Sequence, residues 1–394
     1  MINVKFEDAE NLDLGPQNAL MEPLVKSGLR RVKISTNTGT IDYPTKAVNR
    51  NDLNAKNRVP EIDSIFDYSK IFVYEEYFNP ERALKFHRDN EDVASLFSKI
   101  EETDILTRNC YLKIFQPSQN PDNFNLLNKD RTIYENFLNA LYNFQVTAGF
   151  DAITLPVLVG TKSTLQPDMQ TLDYMLNKMN IGNSQIIPIV DLDYQDAETF
   201  QEIIRKITSL GNDLIPIVML RHRKFKNSYW NYNAVKEFMN SEKTAFMYAS
   251  INTREYDDTF SNTHSAEFLW GSIYSYRFRG GPHGKPKPKS ETKFFRKNLD
   301  VKKAQEILGE HSKIETVGKS KYSNEITQLI NNGLIDSIDH STLNAFSRLH
   351  EHFLSNDELI KSIDFLKGSS VVDYANTKPK LKSHIRRLAT DIQT

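Results

Sequence analysis

Residues 186–218 read IIPIVDLDYQDAETFQEIIRKITSLGNDLIPIV. Two apolar runs, Ile186-Ile187-Pro188-Ile189-Val190 and Leu214-Ile215-Pro216-Ile217-Val218, bracket a segment where Phe200, Ile203, Ile204 and Ile207 recur at helical spacing. Gly211 follows the end of that helix. Strand, helix and strand, with both strands apolar throughout, predict a βαβ crossover and a parallel sheet covered on both faces.

The rhythm extends in both directions. Residues 132–148 predict a helix with Phe137, Leu138, Leu141 and Tyr142 at helical spacing. Gly149 breaks it, and Phe150 to Pro156 resembles a strand. Downstream, Ala245 to Ile251 and Phe268 to Tyr276 continue the pattern. Nearer the N-terminus, 31–48 predict a β-hairpin turning at Asn37-Thr38-Gly39, with Pro44 ending the pairing. Ile71 to Tyr74 predicts a short strand, and Asn79-Pro80-Glu81 opens a helix. Residues 116–130 read as a loop, and the stretches at 100–130 and 156–185 are ambiguous. The expected fold is α/β, a TIM-like β/α barrel over residues 1–281. An open doubly wound sheet is the rival, and the absence of a Gly-rich phosphate fingerprint favours the barrel. Residues 282–298 form a basic Pro/Lys linker, and 299–394 are expected to be a helical C-terminal appendage.

Composition narrows the function classes. The chain has 394 residues, is 39% hydrophobic and 26% charged, and carries a formal net charge of -1. No global field draws in polyanions, so nucleic-acid affinity has to come from a local patch. The single cysteine, Cys110, rules out an internal disulfide and a Cys-rich zinc site. No apolar run reaches the about 18 residues of a membrane span, and the N-terminus lacks signal-peptide features. A cytoplasmic protein with no membrane partner is expected, and no cofactor is implied.

Candidate site residues follow from the barrel expectation, which puts the active site at the C-terminal ends of the strands. Asp191 and Asp193 follow Val190, two residues apart, and on a strand they share a face. They are the candidate catalytic residues, as nucleophile or general base. The competing reading of such an Asp is a helix N-cap, a role better suited here to Asp196 or Thr199. Arg221, His222, Arg223, Arg254 and Arg277 follow other strands, and the arginines offer planar forks for phosphate or carboxylate. Glu75-Glu76 ends another strand. Carboxylates with several arginines suit an anionic substrate and a proton transfer. Between 277 and 297, Arg277, Arg279, Lys285, Lys287, Lys289, Lys293, Arg296 and Lys297 are interleaved with Phe278, Phe294 and Phe295. That stretch is either a phosphate-tracking surface with stacking partners or a solvated linker. His350 and His352 are two apart on an expected helix, on different faces, so no metal is assigned.

Two segments resemble the tRNA-guanine transglycosylase superfamily. RVKISTNTGTIDYPTKAV, residues 31–48, is similar to that family's opening hairpin, with Thr38-Gly39-Thr40 at the turn and Tyr43-Pro44 after it. LNALYNFQVTAGFDAITL, residues 138–155, resembles its helix-to-strand segment through Gln145, Gly149 and Asp151. A third segment aligns Tyr276-Arg277 with the family's Thr-Arg and puts Gly271 where its nucleophilic Asp stands. The Asp-Ser-Gly-Gly motif and the zinc cysteines have no counterpart. The resemblance implies a β/α barrel and guanine/7-deazaguanine exchange in tRNA or DNA, with Asp151 helping to bind the base. Two alternatives stand beside it. One is a non-catalytic nucleic-acid- or protein-binding member of the same fold. The other is an unrelated barrel enzyme for a phosphorylated small molecule.

Overall fold

The computed structural model describes residues 2–6, 32–41, 45–50, 70–104, 107, 109–118, 130–158, 165–180, 185–191, 197–209, 215–222, 245–250, 278–279 and 360. An antiparallel sheet comes first, made of β1 (Asn3–Phe6), β2 (Val32–Ser35) and β3 (Thr40–Ile41). Next come β4 (Thr45–Lys46), β5 (Ile71–Tyr77), α1 (Pro80–Arg88), α2 (Asn90–Asp104), β6 (Leu112–Ser118) and α3 (Arg131–Thr147). They are followed by β7 (Ile153–Thr154), α4 (Leu165–Asn180), β8 (Ile186–Ile187), β9 (Ile189–Asp191) and α5 (Ala197–Ser209). The last are β10 (Ile217–His222), β11 (Ala245–Ser250) and β12 (Phe278–Arg279).

From β4 onward every pairing is parallel. β5 pairs with β6 from Ile71–Leu112 to Tyr77–Ser118, and Ile114 of β6 bridges to Ala152 beside β7. β7 pairs with β8, and Leu158 bridges to Val190 of β9. β9 pairs with β10, β10 with β11, β11 with β12, and β12 with β4. Val48, just past β4, bridges to Phe72 of β5. Single bridges thus stand between the five-stranded sheet β4-β12-β11-β10-β9 and the two-stranded sheets β5-β6 and β7-β8. The architecture is α/β, with parallel strands separated by helices, as the βαβ repeat predicts.

Local chemistry explains the elements. The Asn79 side chain accepts from the Arg82 amide at 2.7 Å and caps α1, whose first residue is Pro80. Asp130 caps α3 by accepting from the Ile133 amide at 3.2 Å, and Gly149, at φ 71°, turns the chain after it. Pro188 lacks an N–H, so β8 and β9 part around it, while its carbonyl still accepts from Met219 at 2.9 Å. Phe200, Ile203, Ile204 and Ile207 are all buried on α5, the face read from their spacing.

Strand alternation makes two apolar layers. Ala47, Ile71, Val73, Leu112, Ile114, Ile187, Ile189, Ile217 and Met219 belong to one buried cluster. On β5 and β6 the alternate residues Phe72, Tyr74 and Phe115 point the other way, into an aromatic layer. There Phe78 and Phe144 meet Phe115 edge-on, with Phe115–Phe144 centroids 5.2 Å apart, and Phe86 of α1 and Phe137 of α3 meet Phe78 edge-on. Each such ring stabilises the fold by roughly 1.5–3 kcal/mol through burial alone.

The antiparallel sheet closes one end of the inner cluster. Ile2, Ile34 and Ile41 pack against Ile71 and Leu112, the first residues of their strands. The Gln185 side chain holds the Ile2 main chain, accepting from its N–H and donating to its carbonyl at 2.6 Å. Thr38 Oγ1 donates to the Tyr111 carbonyl at 3.1 Å.

Several expectations change. The hairpin pairs only through Ile34–Ile41 and Ser35–Thr40; Thr45–Lys46 joins the parallel sheet instead, since its partner is β12. The strand at Ile71 runs on to Tyr77. Residues 116–118, read as loop, belong to β6, where Gln116 and Pro117 mask an otherwise apolar strand. The strand read from Leu214 begins at Ile217, after Pro216. α2 and α4 fill stretches that had no assigned structure. Thr199 lies within α5 and is not its cap. The 268–276 strand, the 282–298 linker and, Ile360 apart, the 299–394 helical region lie outside the described residues.

A Cβ at Gly39 would meet the Tyr111 ring at 2.7 Å, closer than van der Waals contact allows. Gly39→Ala is expected to lower stability by about 1–3 kcal/mol, read from the denaturant midpoint. An unchanged midpoint would show that the ring yields freely.

Candidate functional site

The inner apolar layer turns polar at the C-terminal ends of the strands. Continuing the alternation of Ile71 and Val73 brings Glu75; Leu112 and Ile114 lead to Gln116; Ile187 and Ile189 lead to Asp191. Asp191 is fully buried and Gln116 is 3% exposed, while Glu75 is half-buried. Glu75 and Gln116 are cross-strand partners, and Asp191 is the partner of Arg221 on β10. The Asp191 amide donates to the Leu158 carbonyl at 2.9 Å, which anchors the end of β9. A buried carboxamide and a carboxylate thus end neighbouring strands β5 and β6, and a buried carboxylate ends β9 of the five-stranded sheet. Such groups can accept and donate protons, or attack an electrophile.

Glu76 faces the other way. It pairs with Arg82, whose Nε also lies 3.6 Å from Asp92, so its role is to fasten α1 to β5. Beside it, burial pushes the Tyr74 hydroxyl up to about 12, and the Glu76 carboxylate adds to that rise.

The other expected site residues fall as follows. Arg221 and His222 are the last residues of β10, in register with Ala249 and Ser250. Arg279 lies in β12, in register with Tyr248 and Lys46. Asp193, Arg223, Arg254, Arg277, Lys285, Lys287, Lys289, Lys293, Arg296 and Lys297 lie outside the described residues. Asp151 is placed before β7, at the end of the strands away from Asp191. Its carboxylate accepts from the Lys113 amide at 2.6 Å, and its own amide donates to the Lys113 carbonyl at 3.0 Å. These two bonds tie the start of β7 to β6. Gln116 was missed because the strand boundary was set before it; the alternation Leu112, Ile114, Gln116 is the signal that finds it. No group of three or more His, Cys, Asp or Glu side chains suited to a metal ion occurs among the described residues. No helix there is long and apolar enough to cross a membrane.

No protein-family model matches the chain, and no curated protein matches it. Among solved structures it is similar to a fructose-bisphosphate aldolase from Campylobacter jejuni, with 11% identity, 82% of this chain and 89% of that chain covered, and a TM-score of 0.38. It is also similar to an N-acetylneuraminic acid synthetase from Leptospira borgpetersenii serovar Hardjo-bovis, with 10% identity, 64% and 78% covered, and a TM-score of 0.34. Likenesses at these TM-scores do not bear on function.

Burial raises the Asp151 pKa, partly offset by the Lys113 amide. A raised carboxyl pKa favours folding fully below the ordinary value of about 3.9, and that contribution is lost as pH rises through the folded value. Asp151→Asn stays neutral and keeps an acceptor for the Lys113 amide. It should therefore gain stability relative to wild type between about pH 3 and about pH 7. Denaturant midpoints across that range test this, and a relative loss would reverse the sign.

Proposed function

We propose that the parallel pairings and the single bridges between them make a closed TIM-like β/α barrel, and that the chain is a base-exchange enzyme acting on a nucleobase in nucleic acid. The carrying observation is Asp191, a fully buried carboxylate at the C-terminal end of β9 in register with Arg221. In a β/α barrel that end of the strands is where catalytic groups sit. Asp191 acts as the nucleophile or as the general base. As nucleophile, a carboxylate oxygen bonds to the sugar C1′ while the C1′–N bond breaks and its electron pair leaves with the base. The incoming base then displaces the carboxylate at C1′ and restores it, and the proton lost from its ring N–H balances the one taken up by the departed base. The alternative role has the carboxylate take the proton released by the incoming base.

The resemblance supports the fold in this reading, and not the reaction, through its helix-to-strand segment. Gln145, Gly149 and Asp151 all work at the α3–β7 junction: Gln145 bonds the Thr154 main chain, Gly149 ends the helix at φ 71°, and Asp151 holds Lys113. The family likeness is thus a likeness in how one strand is built. The basic side chains from Lys285 to Lys297 would hold the phosphates.

The first test is incorporation of labelled guanine into tRNA and into single- and double-stranded DNA. Exchange by wild type, lost by about a thousandfold in a folded Asp191→Asn protein, is the expected result. Exchange that survives this substitution removes Asp191 from the chemistry. Absence of exchange with every substrate removes the reaction and leaves a binding protein or a small-molecule enzyme.

Binding is a separate prediction. Lys285, Lys287, Lys289 and Lys293 changed together to Gln should reduce the slope of log affinity against log salt by up to about 3.6, near 0.9 for each lysine–phosphate pairing removed. An unchanged slope for tRNA and DNA would place the phosphate-binding groups elsewhere.

A further inference from the structure

Asp191 and Arg221 are neighbours in register and opposite in charge. β9 and β10 run parallel, with Met219 beside Ile189 and Arg221 beside Asp191. The inner cluster shows which face these positions share. It contains Ile187 and Ile189 ahead of Asp191, and Ile217 and Met219 ahead of Arg221. Ile186, Val190, Val218 and Leu220 are also buried but do not belong to it. Alternation carries the same face on to positions 191 and 221. Adjacent strands lie about 4.8 Å apart, so register partners on one face are within reach of a carboxylate–guanidinium pair.

Among the described residues, the strands on either side bring no second charge at this level. On the far side of β9, Leu158 bridges to Val190, and its carbonyl accepts from the Asp191 amide at 2.9 Å. On the far side of β10, the residue in register with Arg221 is Ala249. The register therefore gives one anion and one cation, side by side, between an apolar residue and a small one. Asp191 is fully buried, and a carboxylate in that setting is costly unless a counter-charge and hydrogen bonds meet it.

We propose that Arg221 is the counter-ion of Asp191 and positions its carboxylate at the strand end. The planar fork that suits a substrate phosphate is then committed to a carboxylate of the protein itself. A paired carboxylate stays ionised, which is the form that either role of Asp191 requires. Arg221 is thus a positioning residue that acts through Asp191. Its consequence for catalysis rests on the reading of Asp191 given above; the pairing itself does not.

Denaturant midpoints of the full chain at pH 7 test the pairing in a cycle of Arg221→Met, Asp191→Asn and the double variant. Arg221→Met alone leaves a buried charge without its counter-ion. Adding Asp191→Asn should therefore recover at least about half of the midpoint that Arg221→Met loses. Arg221→Lys keeps the charge and should lose less than about half as much as Arg221→Met. If Arg221→Met does not fold, folding of the double variant is the same rescue. Three results overturn the pairing: losses that add, a double variant no more stable than Arg221→Met, or a lysine variant as damaging as the methionine one. The exchange assay is read separately. There Arg221→Lys should lower kcat by about tenfold with KM changed by less than about threefold. A raised KM with kcat kept assigns Arg221 to the substrate and overturns its positioning role. A coupled cycle with no exchange in any protein rejects the proposed reaction and leaves the pairing standing.

Discussion

Every strand in a parallel sheet has two rows of main-chain donors and acceptors, and burial leaves no water to satisfy them. The arrangement of this protein follows from that constraint. Apolar strands such as Ile189–Asp191 and Ile217–His222 can be buried only with neighbours on both sides, and pairings and single bridges supply them. Where the chain cannot make a backbone bond, something else is brought in. Pro188 interrupts a strand but its carbonyl still serves Met219. At Thr154 the Gln145 side chain takes the place of a strand.

The same alternation that satisfies the backbone sorts the side chains. One face of β5 and β6 feeds the aliphatic interior and the other feeds the aromatic layer beneath α1 and α3. The antiparallel sheet covers the interior at the start of the strands through Ile2, Ile34 and Ile41. At the other end the interior positions become Glu75, Gln116 and Asp191. A buried carboxylate costs free energy that an aliphatic residue would not, so the change from Ile187 and Ile189 to Asp191 is the sharpest break in this layer.

Local patterns were readable. The helix opening at Asn79-Pro80, the helix ending at Gly149 and the buried face of α5 depend on neighbours within a few residues, and each stands as read. Asp191 at a strand end was also readable, because the apolar run before it stops there. Gln116 was not, since Pro117 reads as a breaker and only a partner strand shows that β6 continues past it. The tie made by Asp151 was not readable for a related reason. The residue types around it suggest a binding group, while its contact with Lys113 depends on how two strands are set side by side.

The sequence by itself determined the α/β class, the parallel βαβ order, the helix start near Asn79-Pro80 and the helix end at Gly149, because these rest on periodicity and near-neighbour bonds. Only the tertiary structure decided which strands meet, that Val48 reaches Phe72, that Gln145 stands in for a strand at Thr154, and which polar residues share the interior layer. The physical reason is that strand faces alternate with a period of two. A boundary displaced by one residue reverses every side chain, and the register that fixes the boundary is set by partners far away in the chain.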